Sequence, residues 1–161
     1  MAIGKTVVAH PGNGLVIRYK GILDIDDLYK SVKGWFGKYN YDYYEKENTE
    51  KKIASGDAIK IKMKAEREVD DYVMFEMQVD FVEIVNVKKA KKGGYYGEAR
   101  IVIRSIVHLD FHNNWKDIPF LFYLYNNIIL KKKIWGHYWV KAYDEMMELN
   151  SLIKSKLGLI K

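Results

Sequence analysis

Ile59-Lys60-Ile61-Lys62-Met63-Lys64-Ala65-Glu66 alternates apolar and polar residues without a break. Side chains of a β-strand point to opposite faces in turn, so this period of two marks a strand with one buried and one wet face. The segment beginning near Tyr72 repeats the pattern, with Val73, Phe75, Met77, Val79 and Phe81 on one face. Between the two strands, Asp70-Asp71-Tyr72 reads as a three-residue hairpin loop. The parity of that loop is forced. A two-residue loop would set Ile61 opposite Asp80 and Met63 opposite Gln78. A three-residue loop sets Ile61 opposite Phe81, Met63 opposite Val79 and Lys62 opposite Asp80. A slip of one residue flips every side chain to the wrong face, so burial selects the odd loop. Beyond Phe81 the alternation blurs through Val82-Glu83-Ile84-Val85, the signature of a β-bulge.

Reading outward from this hairpin, Lys88-Lys89-Ala90-Lys91-Lys92-Gly93-Gly94 forms a basic hairpin tip. It leads into a further strand over residues 98–111 with Ala99, Ile101, Ile103, Val107, Leu109 and Phe111 on one face. Upstream, Tyr41 to Lys52 reads as a strand closed by the turn Ser55-Gly56-Asp57. Before it, Leu28, Val32, Trp35, Phe36 and Tyr39 recur at helical spacing, capped by Asp24, Asp26 and Asp27. Leu15 to Gly21 is the first strand of the domain. Residues 1–14 end in the turn cluster His10-Pro11-Gly12-Asn13-Gly14 and read as an N-terminal arm, either loose or a short edge strand. From Asp117 the period becomes helical. Leu121, Leu124, Ile128, Trp135, Tyr138, Trp139, Tyr143, Met146, Leu149 and Ile153 fall on one stripe, with Gly136 as a point of kinking. Such a helix would be about 60 Å long, and the two longest strands about 50 Å, so the helix can lie along the sheet.

The expected fold is therefore α+β. A five-stranded antiparallel curved sheet carries one short N-terminal helix and one long C-terminal helix, in a single domain over residues 15–161. This order resembles a reduced helix-grip fold of the START and Bet v 1 kind, in which a sheet wraps a C-terminal helix and leaves a pocket between them. The run Gly21 to Tyr29, then Trp35-Phe36, then Tyr41-Asp42-Tyr43-Tyr44-Glu45-Lys46 is similar to an uncharacterised family of archaeal proteins. Glu68-Val69-Asp70-Asp71-Tyr72 and Lys131-Lys132-Lys133 fit the same pattern. That resemblance implies a cytoplasmic archaeal origin and a lysine-rich surface set by lineage, and it implies no activity.

Composition narrows the function classes. With no cysteine in the chain, disulfides, thiol catalysis and cysteine-ligated zinc are excluded. The first ten residues lack a long apolar core, so no secretory signal is expected, and no stretch supplies the roughly eighteen apolar residues of a membrane span. The net charge of +6 favours an acidic partner, protein or nucleic acid. The sequence holds no glycine-rich phosphate loop, nucleophile elbow or paired metalloprotease histidines, so no catalytic residues and no cofactor are expected.

Three clusters are candidate sites. His108, Asp110 and His112 share one face if their strand continues, and two imidazoles with a carboxylate can ligate zinc. Asn113-Asn114-Trp115 signals the end of the strand, which would release His112, so a metal is not favoured. Lys88, Lys89, Lys91 and Lys92 with Tyr95 and Tyr96 combine phosphate-binding cations with rings that can stack on bases. Lys131-Lys132-Lys133 with Trp135, Tyr138 and Trp139 suits a membrane surface, but the shared stripe makes core the stronger expectation for both tryptophans. The leading expectation is a non-catalytic binding or interaction module. The alternatives are a helix-grip pocket for a small apolar ligand, with or without catalysis, and nucleic-acid binding through the basic tip.

Overall fold

The computed structural model describes residues 5–10, 12–53, 56–89 and 95–160. Six strands form one antiparallel sheet: β1 (Lys5–Val8), β2 (Leu15–Leu23), β3 (Asp42–Ile53), β4 (Gly56–Glu68), β5 (Val73–Lys89) and β6 (Tyr95–Leu109). Their spatial order is β1-β6-β5-β4-β3, and β2 shares the β1 edge by pairing with the other end of β6. Residues 5–8 are thus the short edge strand of the two forms open to the N-terminal arm. β1 pairs with Ile106 to Leu109 and β2 with Tyr95 to Ile103, so only Arg104 and Ser105 of β6 separate the two, and the Ala9 amide extends the first pairing by donating to the Ser105 carbonyl at 2.9 Å. Gly14 makes this return possible. Its φ is +117°, and a Cβ there would lie 2.7 Å from the carbonyl oxygen of Ile103.

The β4–β5 hairpin has the register that parity demands. Ile61 faces Phe81, Lys62 faces Asp80 and Met63 faces Val79. The Val69 amide bonds the carbonyl of Val73 at 2.8 Å, which leaves Asp70-Asp71-Tyr72 as the loop. Asp70 shapes it, accepting from the amides of Tyr72 and Val73 at 2.9 Å each. The β5–β6 register shifts between Phe81 and Glu83, and again between Val85 and Lys88. Another shift falls between Glu45 and Glu47 of β3. Such bulges add twist, so the long strands coil rather than lie flat.

Helix α1 (Ile25–Lys38) carries the chain from the β2 edge to the β3 edge. Asp24 caps it by accepting from the Asp27 amide at 2.9 Å, and Ile25, Leu28, Val32, Trp35 and Phe36 form its buried stripe. The last helical region comprises α2 (Pro119–Leu124), a wide turn with π geometry (Tyr125–Ile129), α3 (Lys131–Lys133), a second π turn (Ile134–Trp139) and α4 (Val140–Lys156). Its buried side meets the apolar face of the sheet. Phe75, Met77 and Val79 of the sheet and Met146, Leu149 and Ile153 of α4 are all fully buried in one cluster. Each such side chain stabilises the fold by about 1.5–3 kcal/mol.

The two π turns correct the expected stripe. An α-helix advances 100° per residue, so residues four apart drift about 40° per turn. Here Phe122, Asn126, Leu130, Ile134, Tyr138, Ala142 and Met146, spaced every four residues, all lie on the buried side. A wider turn absorbs the drift. Leu121, Ile128 and Trp135, which an unbroken 3.6-residue period places in the core, therefore rotate outward, and Trp135 is 50% exposed. Trp139 stays partly buried against the core. Its indole donates to the Val8 carbonyl at 3.1 Å and stacks on Tyr143 at 5.2 Å, pinning β1 to the helix.

The two tryptophans should consequently respond differently to truncation. Trp139→Ala is expected to cost about 2–3 kcal/mol in urea denaturation, below the roughly 3–5 kcal/mol of a fully buried ring. Trp135→Ala should change stability by no more than about 0.5 kcal/mol. Equal losses in the two variants would refute the outward rotation of Trp135.

Candidate functional site

Because residues at four-residue spacing face the sheet, many of the residues between them in 118–140 turn away from it. The outward side carries Ile118, Phe120, Leu121, Tyr123, Ile128, Ile129, Trp135 and Val140, all exposed, with Phe120 at 71% and Ile128 at 68%. Lys131, Lys132, Lys133 and Lys141 are exposed among and beside them. From Ile118 to Tyr143 the chain holds no Asp or Glu. Scattered apolar residues on a surface are ordinary, but a contiguous apolar patch marks an interaction site.

The face is held in place by polar ties on its buried side. The Tyr72 hydroxyl bonds Asn126 Oδ1 at 2.7 Å, and Asn126 Nδ2 donates to the Phe122 carbonyl at 2.8 Å. Tyr125 meets Tyr72 edge-on at 5.5 Å and stacks on Trp115 at 5.4 Å. The Tyr138 hydroxyl donates to Asp70 Oδ2 in the β4–β5 loop. Burial opposes ionisation of Asp70, but hydrogen bonds from Tyr138 and from the amides of Tyr72 and Val73 outweigh it and hold its carboxyl below the usual range. Burial also pushes the Tyr72 phenol up to about 12, so it stays a neutral donor.

The metal candidate does not assemble. β6 ends at Leu109, and Asp110 turns to φ +53°. Its buried carboxylate accepts from the amides of Asn114 at 2.8 Å and Trp115 at 3.1 Å, and so caps the turn that delivers Trp115 to Tyr125. His112 is exposed, its ring 4.0 Å from that of Phe111. His108 lies on the open face of the sheet, Nε2 2.8 Å from Glu76 Oε2. Among the described residues no cluster of three metal-ligating side chains forms. Of the basic tip, Lys91 and Lys92 lie outside the described residues, as do the side chains of Lys88 and Lys89. Tyr95 and Tyr96 are exposed but adjacent in β6, so they project to opposite faces and cannot serve one stacking platform.

Three further features were not anticipated from the sequence. Glu145 is buried beneath α4, where both its oxygens meet Arg67 Nη2 at 2.8 and 3.0 Å and one accepts from the Tyr41 hydroxyl at 2.6 Å. Arg67 also donates to the Tyr39 carbonyl at 2.8 Å and lies over the Tyr41 ring. Burial, then the Glu145 charge, raises the Tyr41 phenol far above its ordinary value. A shallow groove of about 620 Å³ opens between α1 and α4, with Trp35, Leu152 and Ile160 as apolar walls and Ser31, Ser151, Ser155, Lys38 and Glu148 as polar ones. Small residues at helical spacing on both helices were its only sequence signal. On the sheet's open face, Glu76 is only 6% exposed and touches His108, Gln78 and Lys64. Burial would raise its pKa, but the hydrogen bonds from His108 and Gln78 and the Lys64 charge outweigh it and bring it to about 2.

No known protein family matches the chain, and no curated protein does. Among solved structures, an uncharacterised protein from Rhizobium leguminosarum aligns over 98% of this chain and 97% of its own, at 9% identity and a TM-score of 0.24.

The Glu76 cluster generates a pH dependence. Its carboxyl is more acidic folded, at about 2, than at its ordinary value of 4.5. Its contribution is therefore complete above pH 4.5 and is lost as pH falls toward about 2. Urea denaturation at graded pH should show a shallower slope over that window for Glu76→Gln than for the parent. Identical slopes would remove Glu76 from the account.

Proposed function

We propose that this protein is a non-catalytic interaction module that engages its partner through the outward face of 118–140. The observation that carries this reading is the concentration of exposed apolar and basic residues there, on a helical region tied to the sheet through Asn126 and Tyr138. Water-exposed Phe120, Ile128 and Ile129 add nothing to the packed interior, so their exposure is better accounted for by a partner that covers them. The helix-grip alternative has less support. Phe75, Met77, Met146 and Leu149 occupy the layer where that pocket would lie, and the groove beside α1, although Trp35, Leu152 and Ile160 give it apolar walls, is shallow, open and outside that layer. The nucleic-acid alternative has less support because Tyr95 and Tyr96 diverge. The likeness to the archaeal family is compatible with this reading and adds no activity to it.

Hydroxyl-radical footprinting of the full chain, purified and in whole native extract with membranes retained, tests the proposal. Phe120, Tyr123 and Trp135 should lose most of their oxidation in extract, while Tyr95 and Tyr96 keep theirs. Equal oxidation of the helical face in both samples would overturn it. Protection of Tyr95 and Tyr96 alone would favour the basic tip instead.

A further inference from the structure

Resting on that reading, we infer that the partner is the surface of an anionic lipid bilayer, on which the outward face of 118–140 lies flat as a peripheral anchor. The chemistry of the face is that of an interfacial helix. Phe120, Ile128 and Ile129 offer apolar groups for the headgroup–acyl boundary, and Tyr123 and Trp135 have the amphipathic rings that settle at headgroup depth. Lys131, Lys132 and Lys141 supply cations at the same level, on stems long enough to bury their methylenes and keep the ammonium at the lipid phosphates, whereas the Lys133 ammonium turns back over the Tyr138 ring. Among the described residues Lys131, Lys132 and Lys141 form no ion pair, and the segment from Ile118 to Tyr143 holds no carboxylate that could neutralise them.

Charge complementarity selects the bilayer over a second copy of the chain. A two-fold interface sets a surface against itself. With no Asp or Glu from Ile118 to Tyr143, two such faces would confront lysines with lysines. The surface is also the convex outer side of a helix, about 35 Å long at 1.5 Å per residue. A bilayer conforms to a convex side, whereas a protein partner would need a groove both apolar and acidic. No helix of the described residues is long and apolar enough to cross a membrane, so the contact is with one leaflet.

Co-sedimentation of the full chain with vesicles tests this. Vesicles of phosphatidylcholine and phosphatidylglycerol in equal parts should bind the protein, and phosphatidylcholine alone should not. Each lysine near an anionic surface contributes about fivefold, so Lys131→Gln/Lys132→Gln/Lys141→Gln should weaken binding roughly hundredfold. Lys20→Gln/Lys60→Gln/Lys62→Gln, with the same loss of net charge on the sheet, should bind like the parent. Phe120→Ser/Ile128→Ser should bind weakly while keeping the parent's melting temperature. Failure to sediment with anionic vesicles at low salt, or equal weakening by the two lysine triples, would overturn the inference. Footprint protection that persists in extract cleared of membranes would also overturn it, in favour of an acidic protein, while leaving the interaction reading intact.

Discussion

A helix that must keep one side against a sheet for its whole length faces a geometric mismatch. Side chains four apart drift about 40° per α-turn, and after several turns the stripe leaves the surface it covers. A coiled coil solves this by supercoiling; here two π turns under-wind the chain instead. The rest of the molecule follows from that choice. It keeps Phe122, Asn126, Ile134 and Tyr138 over the sheet, lets Asn126 and Tyr138 reach Tyr72 and Asp70, and puts Phe120, Ile128 and Trp135 into solvent.

The second half of the helix returns to ordinary α geometry, and there the tie to the sheet is electrostatic. Arg67 and Glu145 are enclosed between α4, Tyr41 and Phe75. A buried pair is little better than an apolar pair of the same volume, yet removing one partner strands the other at a cost of about 3–5 kcal/mol. Its effect is therefore on specificity. α4 has one position along β4 at which Glu145 meets Arg67, while Ser105 and Ala142 keep the approach close, with the Ser105 hydroxyl 3.4 Å from the Ala142 carbonyl. Polar ties at both ends thus set the position of a helix whose apolar packing alone would tolerate sliding.

Strand periodicity made the sheet legible because burial couples to parity. Ile61 opposite Phe81 follows from the alternation alone, as does the bulge beyond Phe81. The helical region was legible only in outline. Its buried side includes Asn126, a polar residue that an apolar-stripe search passes over, and its period is four rather than 3.6. Reading Leu121, Ile128 and Trp135 as core was the consequence. The groove and the Arg67–Glu145 pair join residues far apart in sequence, and no local pattern encodes their meeting. His108, Asp110 and His112 are the reverse case: alternation alone would let them converge, Asn113-Asn114-Trp115 signals that the strand stops, and the positive φ of Asp110 turns the chain away from the strand.

The surfaces of this protein are not managed alike. The edge strand β3 carries charge at Glu45, Lys46 and Glu47, which discourages pairing with another sheet. The open face of the sheet carries cross-strand ion pairs such as Lys62 with Glu47 and Arg104 with Asp80. Both devices use acidic and basic residues together, and both keep a potentially adhesive surface wet. The outward face of 118–140 is treated differently, with its aromatic and aliphatic groups uncovered and no Asp or Glu among its own residues. Solubility alone would favour mixed charge there as elsewhere, because an apolar patch rimmed by one sign of charge attracts partners. The same chain that neutralises its sheet surfaces leaves this one adhesive and positive, and it spends two π turns and three side-chain ties presenting it.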